Sequence, residues 1–189
     1  MFPKSRLDAL TDGVFAFAMT LLVVDLRLPE KVHPESAAEL LDALADLKGQ
    51  FVAYVVSFVV LGVRWMSVAR LRGEEVGKTH IAWALVHLFL VTCVPFSTML
   101  VGRYGMLAPA IWLYAVNTFL GAVAAFFMVA LPQAGLGGDE VTEWRRSLVL
   151  IMGLALLSVA ISFVNPRWAL WAYLLNVIAP ALRRQRSTA

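Results

Sequence analysis

Six stretches of this chain are apolar for about the length a helix needs to cross a bilayer, and this constrains its fold more than any other feature. At about 1.5 Å per residue, roughly 20 consecutive apolar residues span the hydrocarbon layer. The stretches run over 7–28, 50–66, 80–101, 109–131, 144–164 and 168–182. Hydrophobic residues make up 60% of the chain and charged residues only 15%, whereas soluble domains carry about a quarter charged residues. A soluble fold of 189 residues could not hide that much apolar surface, so the bilayer must cover it. The expected fold class is an all-α membrane protein with six transmembrane helices, and residues 1–189 are expected to form a single domain.

The connections carry their own signals. Ser36 with Glu39 three residues on reads as a helix N-cap, so 36–44 is expected to be an amphipathic helical lead-in to the second span. Gln133-Ala-Gly-Leu-Gly-Gly-Asp139 reads as a loop, and Asn165-Pro166-Arg167 as a tight turn joining the last two spans into a hairpin. With the N-terminus cytoplasmic, eleven of the sixteen Lys and Arg residues fall on that side. These are Lys4, Arg6, Arg64, Arg70, Arg72, Lys78, Arg145, Arg146, Arg183, Arg184 and Arg186. The bias predicts a multi-pass protein of the cell membrane with both termini cytoplasmic. Trp112, Trp144, Trp168 and Trp171 lie near span ends, as an aromatic belt would place them. The start of the chain is not expected to be a secretory leader, because Arg6, Asp8 and Asp12 interrupt it and no small-residue cleavage pattern follows.

Several kinds of chemistry are excluded. The lone cysteine, Cys93, lies in an apolar run and allows neither an intramolecular disulfide nor a cysteine metal cluster. His33, His80 and His87 are dispersed and make a poor metal site; His87 alone lies deep in a span, where a hydrogen-bonded interior histidine and a proton relay both remain open. No phosphate loop, zinc-protease motif, serine elbow or dinucleotide glycine pattern occurs, so no enzyme, cofactor or metal is expected. The net charge of +3 is spread over helix ends rather than gathered on a face, which argues against nucleic acid as a partner.

The first span is the informative one. Arg6, Asp8 and Asp12 are ionisable groups at its start, and such groups normally face a protein interior or a watery cavity. Arg6 and Asp12 are six positions apart and lie on different helix faces, so each must seek partners on neighbouring helices. A structural clamp and an ion site are both consistent with that pattern. Further along, Phe17, Leu21, Val24 and Leu28 recur at helical spacing with Thr20 beside them, and Gly13, Ala16 and Ala18 would let helices approach closely. By spacing alone this stripe fits a packing seam as well as a pore lining.

The segment Arg6, then Leu10-Thr11-Asp12-Gly13, then Val14-Phe15-Ala16-Phe17-Ala18-Met19-Thr20-Leu21-Leu22-Val23 resembles the first-helix signature of a known family. That family is the transmembrane-protein-175 potassium channels, in their bacterial members. Its signature has an arginine, three residues, Phe-Ser-Asp-Gly, and then Val-Phe-Ala-Ile-Ala-Ile-Thr-Leu-Leu-Val. The likeness continues in Tyr54-Val-Val-Ser57-Phe58 with Trp65, in Val94-Pro95-Phe96-Ser97-Thr98, in Tyr114-Ala-Val-Asn117 and in Ile161-Ser-Phe-Val-Asn-Pro166. Leu10 and Thr11 replace the family's Phe and Ser, Val68 stands where a histidine is usual, and Phe17 replaces an aliphatic residue.

The resemblance implies a homotetramer of six-helix subunits, embedded in lipid, whose first helices line a passive potassium-permeable pore without a re-entrant filter. Phe17, Leu21 and Val24 would form the constriction, Thr20 a hydroxyl layer for selectivity, and Arg6, Thr11 and Asp12 the clamp on the first helix. Potassium would be the permeant ion. A proton-linked secondary transporter, using Asp12, Asp25 or His87, and a non-transporting membrane scaffold are the competing readings.

Overall fold

A computed structural model describes residues 2–69, 75–130 and 138–174. Helix α1 (Lys4–Val24) starts directly after Pro3, which cannot donate a backbone hydrogen bond and occupies the N-cap position. It ends at Asp25, before Pro29, rather than continuing to Leu28. The short helix α2 (Ala37–Asp46) opens as the sequence predicts: the Ser36 hydroxyl accepts the Glu39 amide at 3.2 Å. The Glu39 carboxylate in turn accepts the Glu35 amide, one residue before the cap, at 2.9 Å. Leu47 separates α2 from the long α3 (Lys48–Ala69).

The third apolar stretch folds as two helices, α4 (Lys78–Thr92) and α5 (Val94–Tyr104), which together make one bent rod. Pro95 is the physical reason. It lies in the first turn of α5 and has no amide to continue the ladder, so the chain turns at Cys93. Helices α6 (Ala108–Ala130) and α7 (Gly138–Val164) follow, and α7 already begins at Gly138, before the expected span. Beyond Asn165 come the one-turn α8 (Pro166–Ala169) and a 3-10 turn, Leu170–Leu174. Of the sixth expected span, 168–182, the part from 175 on lies outside the described residues, as do Arg70, Arg72 and most of the 133–139 loop.

Among the described residues, five helical rods are long and apolar enough to cross a bilayer: α1, α3, α4 with α5, α6, and Val141–Val164 of α7. Of these α6 is the most buried and α1 the least. Helix α6 therefore forms the centre of the bundle. Its small buried residues Ala115, Gly121, Ala122, Ala124 and Ala125 let neighbouring backbones approach, as packing in lipid requires. Helix α1 packs against α3, α4 and α5 at the periphery, through Phe15, Ala18 and Leu22 against Leu61, Leu88 and Val91.

One element has no counterpart in the sequence reading. Phe2–Pro3 (β1) pairs antiparallel with Glu75–Val76 (β2), Phe2 opposite Val76 and Pro3 opposite Glu75. This two-residue ladder joins the start of α1 to the start of α4.

Candidate functional site

Helix α1 has two unlike faces. Leu7, Thr11, Phe15, Ala18 and Leu22 are buried, at the three- and four-residue intervals that put them on one side of a helix. The other side is uncovered within the subunit: Phe17 is 66% exposed, Leu21 36% and Val24 61%, with Gly13, Ala16 and Thr20 also exposed. The structure thus places the four residues Phe17, Thr20, Leu21 and Val24 on one continuous surface. No charge interrupts it between Asp12 and Asp25, a rise of roughly 18 Å for the twelve residues between.

Thr20 has a defined chemical character there. Its hydroxyl donates to the Phe17 carbonyl at 2.8 Å, so its one proton is occupied. The lone pairs remain as acceptors, which suits a cation and not an anion.

At the N-terminal end of this face, the Trp65 indole donates to Asp12 Oδ1 at 2.8 Å and ties α1 to α3. Thr11 is buried and donates to the Leu7 carbonyl at 2.8 Å, within its own helix. Arg6 is exposed, and no hydrogen bond or ion pair holds it among the described residues. The three clamp candidates are thus close in sequence but do not bond to one another. Asp8 is engaged by Lys4, whose ammonium reaches both carboxylate oxygens at 2.7 Å. At the far end, Asp25 caps α1 and lies 3.6 Å from Arg103 of α5. Among the described residues no cluster of His, Cys, Asp and Glu could hold a metal ion.

The Asp12–Trp65 bond is testable by a double-mutant cycle. Asp12→Ala, Trp65→Phe and the double variant should show a coupling of about 1 kcal/mol in unfolding free energy. Simple additivity in denaturation of the purified protein would contradict an energetic link between the two.

Sequence reasoning missed a second polar region. Arg64 was counted with the flanking charges, yet it is only 4% exposed and turned into the bundle between α3 and α6. A signal was present: Ser57, Val60, Leu61, Arg64 and Val68 are spaced on one helical face, and all are buried. Nearby, Thr98 Oγ1 lies 2.8 Å from Ser57 Oγ, which lies 3.1 Å from the Tyr114 hydroxyl.

Apolar helices of bilayer length around a small-residue core define a multi-pass α-helical membrane protein. The model of the endosomal/lysosomal potassium channel TMEM175 family matches residues 6–95. A protein named a potassium channel in Chamaesiphon minutus is 35% identical over 101 residues, 52% of this chain and 49% of that one. One from Streptomyces collinus is 33% identical over 106 residues, 55% of this chain and 50% of that one. This chain thus spans about half the length of these curated relatives. The crystal structure of a lysosomal potassium-selective channel TMEM175 homologue from Chamaesiphon minutus matches with a TM-score of 0.81 at 28% identity, covering 95% of this chain and 96% of that one. The chain is thus similar to the TMEM175 family, over its N-terminal part by the family model and over nearly all its length by the fold of the Chamaesiphon minutus homologue. That family is one of channels, not of enzymes.

Proposed function

We propose that this chain assembles as a homotetramer in the cell membrane, with both termini cytoplasmic, and conducts potassium passively through a pore lined by four copies of α1. The observation that carries this reading is the uncovered stripe of Phe17, Thr20, Leu21 and Val24, on the helix that holds the family's most specific motif. Four such stripes facing one axis make rings of apolar side chains with one ring of hydroxyl oxygens among them. Apolar rings gate by expelling water, and oxygen acceptors replace part of a cation's hydration shell. Potassium holds its water less tightly than sodium, so a sparse hydroxyl ring favours it modestly. Asp12, bonded to a neutral indole, gives one end of the pore a negative charge that concentrates cations, while Arg103 offsets Asp25 at the other. Of the clamp residues, Asp12 holds the start of α1 through Trp65, Thr11 bonds within the helix, and Arg6 is left for a contact in the assembled tetramer. Potassium is the cargo, and no resident cofactor takes part.

The test is direct. Purified protein in planar bilayers under a potassium gradient should give single-channel currents, and Leu21→Cys should cross-link between subunits while Trp171→Cys should not. Silent bilayers, together with a Leu21→Cys variant that reacts only with lipid-borne reagents, would overturn the pore assignment.

A further inference from the structure

Arg64 poses a problem that the uncovered face of α1 does not solve. It lies five residues before the end of α3 at Ala69, roughly 7.5 Å along the axis. An arginine so placed usually extends its head to the interface. Here the guanidinium instead lies against Gly121 of α6, where a Cβ would collide with Nη2 and stand 2.8 Å from Cζ. Both Nη1 and Nη2 are buried without a hydrogen-bond partner. Among the described residues two ion pairs form, Lys4–Asp8 and Arg103–Asp25, and Arg64 belongs to neither.

The surroundings sharpen the problem. His87 of α4 is 2% exposed, and its Nδ1 sits 2.9 Å from the Gly121 carbonyl. A carbonyl can only accept, so Nδ1 carries the proton and Nε2 is left as a lone pair, itself without a partner. Asn117, one turn before Gly121 on α6, is 7% exposed and has both amide atoms unpartnered. Tyr114, one turn further back, is within electrostatic reach of the guanidinium but spends its hydroxyl on Ser57. Arginine does not shed its proton inside a protein, so a buried guanidinium requires a counter-charge or hydration to be tolerable. The unpartnered groups here are donors on Arg64 and Asn117 Nδ2 and neutral acceptors on Asn117 Oδ1 and His87 Nε2. Among the described residues no ion pair brings a carboxylate to the guanidinium, so nothing here offsets its charge.

We propose that Arg64 and the Asn117 amide form an internal binding site for a small monovalent anion such as chloride, one in each subunit and apart from the pore. The anion accepts from the guanidinium and from Asn117 Nδ2, and water bridges to His87 Nε2. His87 contributes by occupying the Gly121 carbonyl, which would otherwise repel the anion. Gly121 contributes by leaving room for the guanidinium.

A ligand that binds only the folded state raises its melting temperature. Purified wild-type protein moved from potassium gluconate to potassium chloride, at fixed potassium and ionic strength, should melt roughly 5 °C higher when chloride is in large excess over its dissociation constant. Arg64→Met, which keeps an apolar stem and removes the charge, should lose that dependence. Wild-type crystals soaked in bromide should show anomalous density at the guanidinium, a result that does not depend on how the variant folds. Equal melting in the two salts, a chloride shift retained by Arg64→Met, or bromide found only elsewhere would each overturn the site. These readouts do not involve conduction, so they stand or fall separately from the channel reading.

Discussion

Replacing Phe17 by alanine should raise single-channel conductance roughly three- to tenfold, equivalent to removing about 0.7–1.4 kcal/mol from the barrier to ion passage. Phe17 is 66% exposed on α1 and lies 13 residues beyond Lys4, roughly 20 Å along the helix. Four phenyl rings around one axis would fill a narrow pore and expel its water. An opposing effect exists, because aromatic faces attract cations by about 0.5–2 kcal/mol. Crowding decides between them: when four rings converge, edges rather than faces turn inward, and the edge of the ring is its positive part. Bilayer recordings of Phe17→Ala beside the parent check this. Equal conductance would move the constriction to Leu21 or Val24.

Gly121→Val should lower the melting temperature of the purified protein by roughly 5–10 °C, and Gly121→Val with Arg64→Ala should recover most of it. A Cβ at Gly121 meets the Arg64 guanidinium too closely to be accommodated in place. The guanidinium ends a flexible side chain, and on a surface it would swing away at little cost. At 4% exposure it has no solvent to swing into. Overpacking of this kind costs about 1–3 kcal/mol, sometimes more, and the displaced charge adds to it. The rescue by Arg64→Ala distinguishes a collision with that side chain from a general intolerance of valine on α6. Failure of the rescue would mean that the backbone approach of α4 to Gly121, held by His87, is what forbids the substitution.

The apolar helices were legible because the bilayer imposes a length, and charged or proline-bearing segments bound each run. The Ser36 cap was legible because it needs only the four consecutive residues from Ser36 to Glu39. Other features depend on more than local pattern. The ladder between Phe2–Pro3 and Glu75–Val76 has two residues on each side, too few for any alternation to register. The split at Cys93 follows from Pro95, which the sequence reading carried as part of a motif and not as a break. The burial of Arg64 was missed because a charge near the end of a span was counted by distance along the chain, while burial depends on rotation about the helix axis. Projecting its neighbours Ser57, Val60, Leu61 and Val68 onto a wheel places Arg64 among the buried positions. For the candidate site, the stripe on α1 could be read from spacing, but not which side of it would be covered. The buried set Leu7, Thr11, Phe15, Ala18 and Leu22 decides that, and it depends on α3 and α4.

The ladder at the start of α1 has a mechanical consequence. Backbone pairing with Glu75–Val76, the Lys4–Asp8 pair and the Asp12–Trp65 bond all fall within the first three turns of the helix. The opposite end is held by the 3.6 Å approach of Arg103 to Asp25, between side chains that are each about a third exposed. Between the two ends, Phe15, Ala18 and Leu22 pack against Leu61, Leu88, Val91 and Val94, so α1 is a rail bolted along one side with most of its polar fastenings at the start. Loosening those fastenings alone would free the first turns while the packed seam still held Leu21 and Val24 in register.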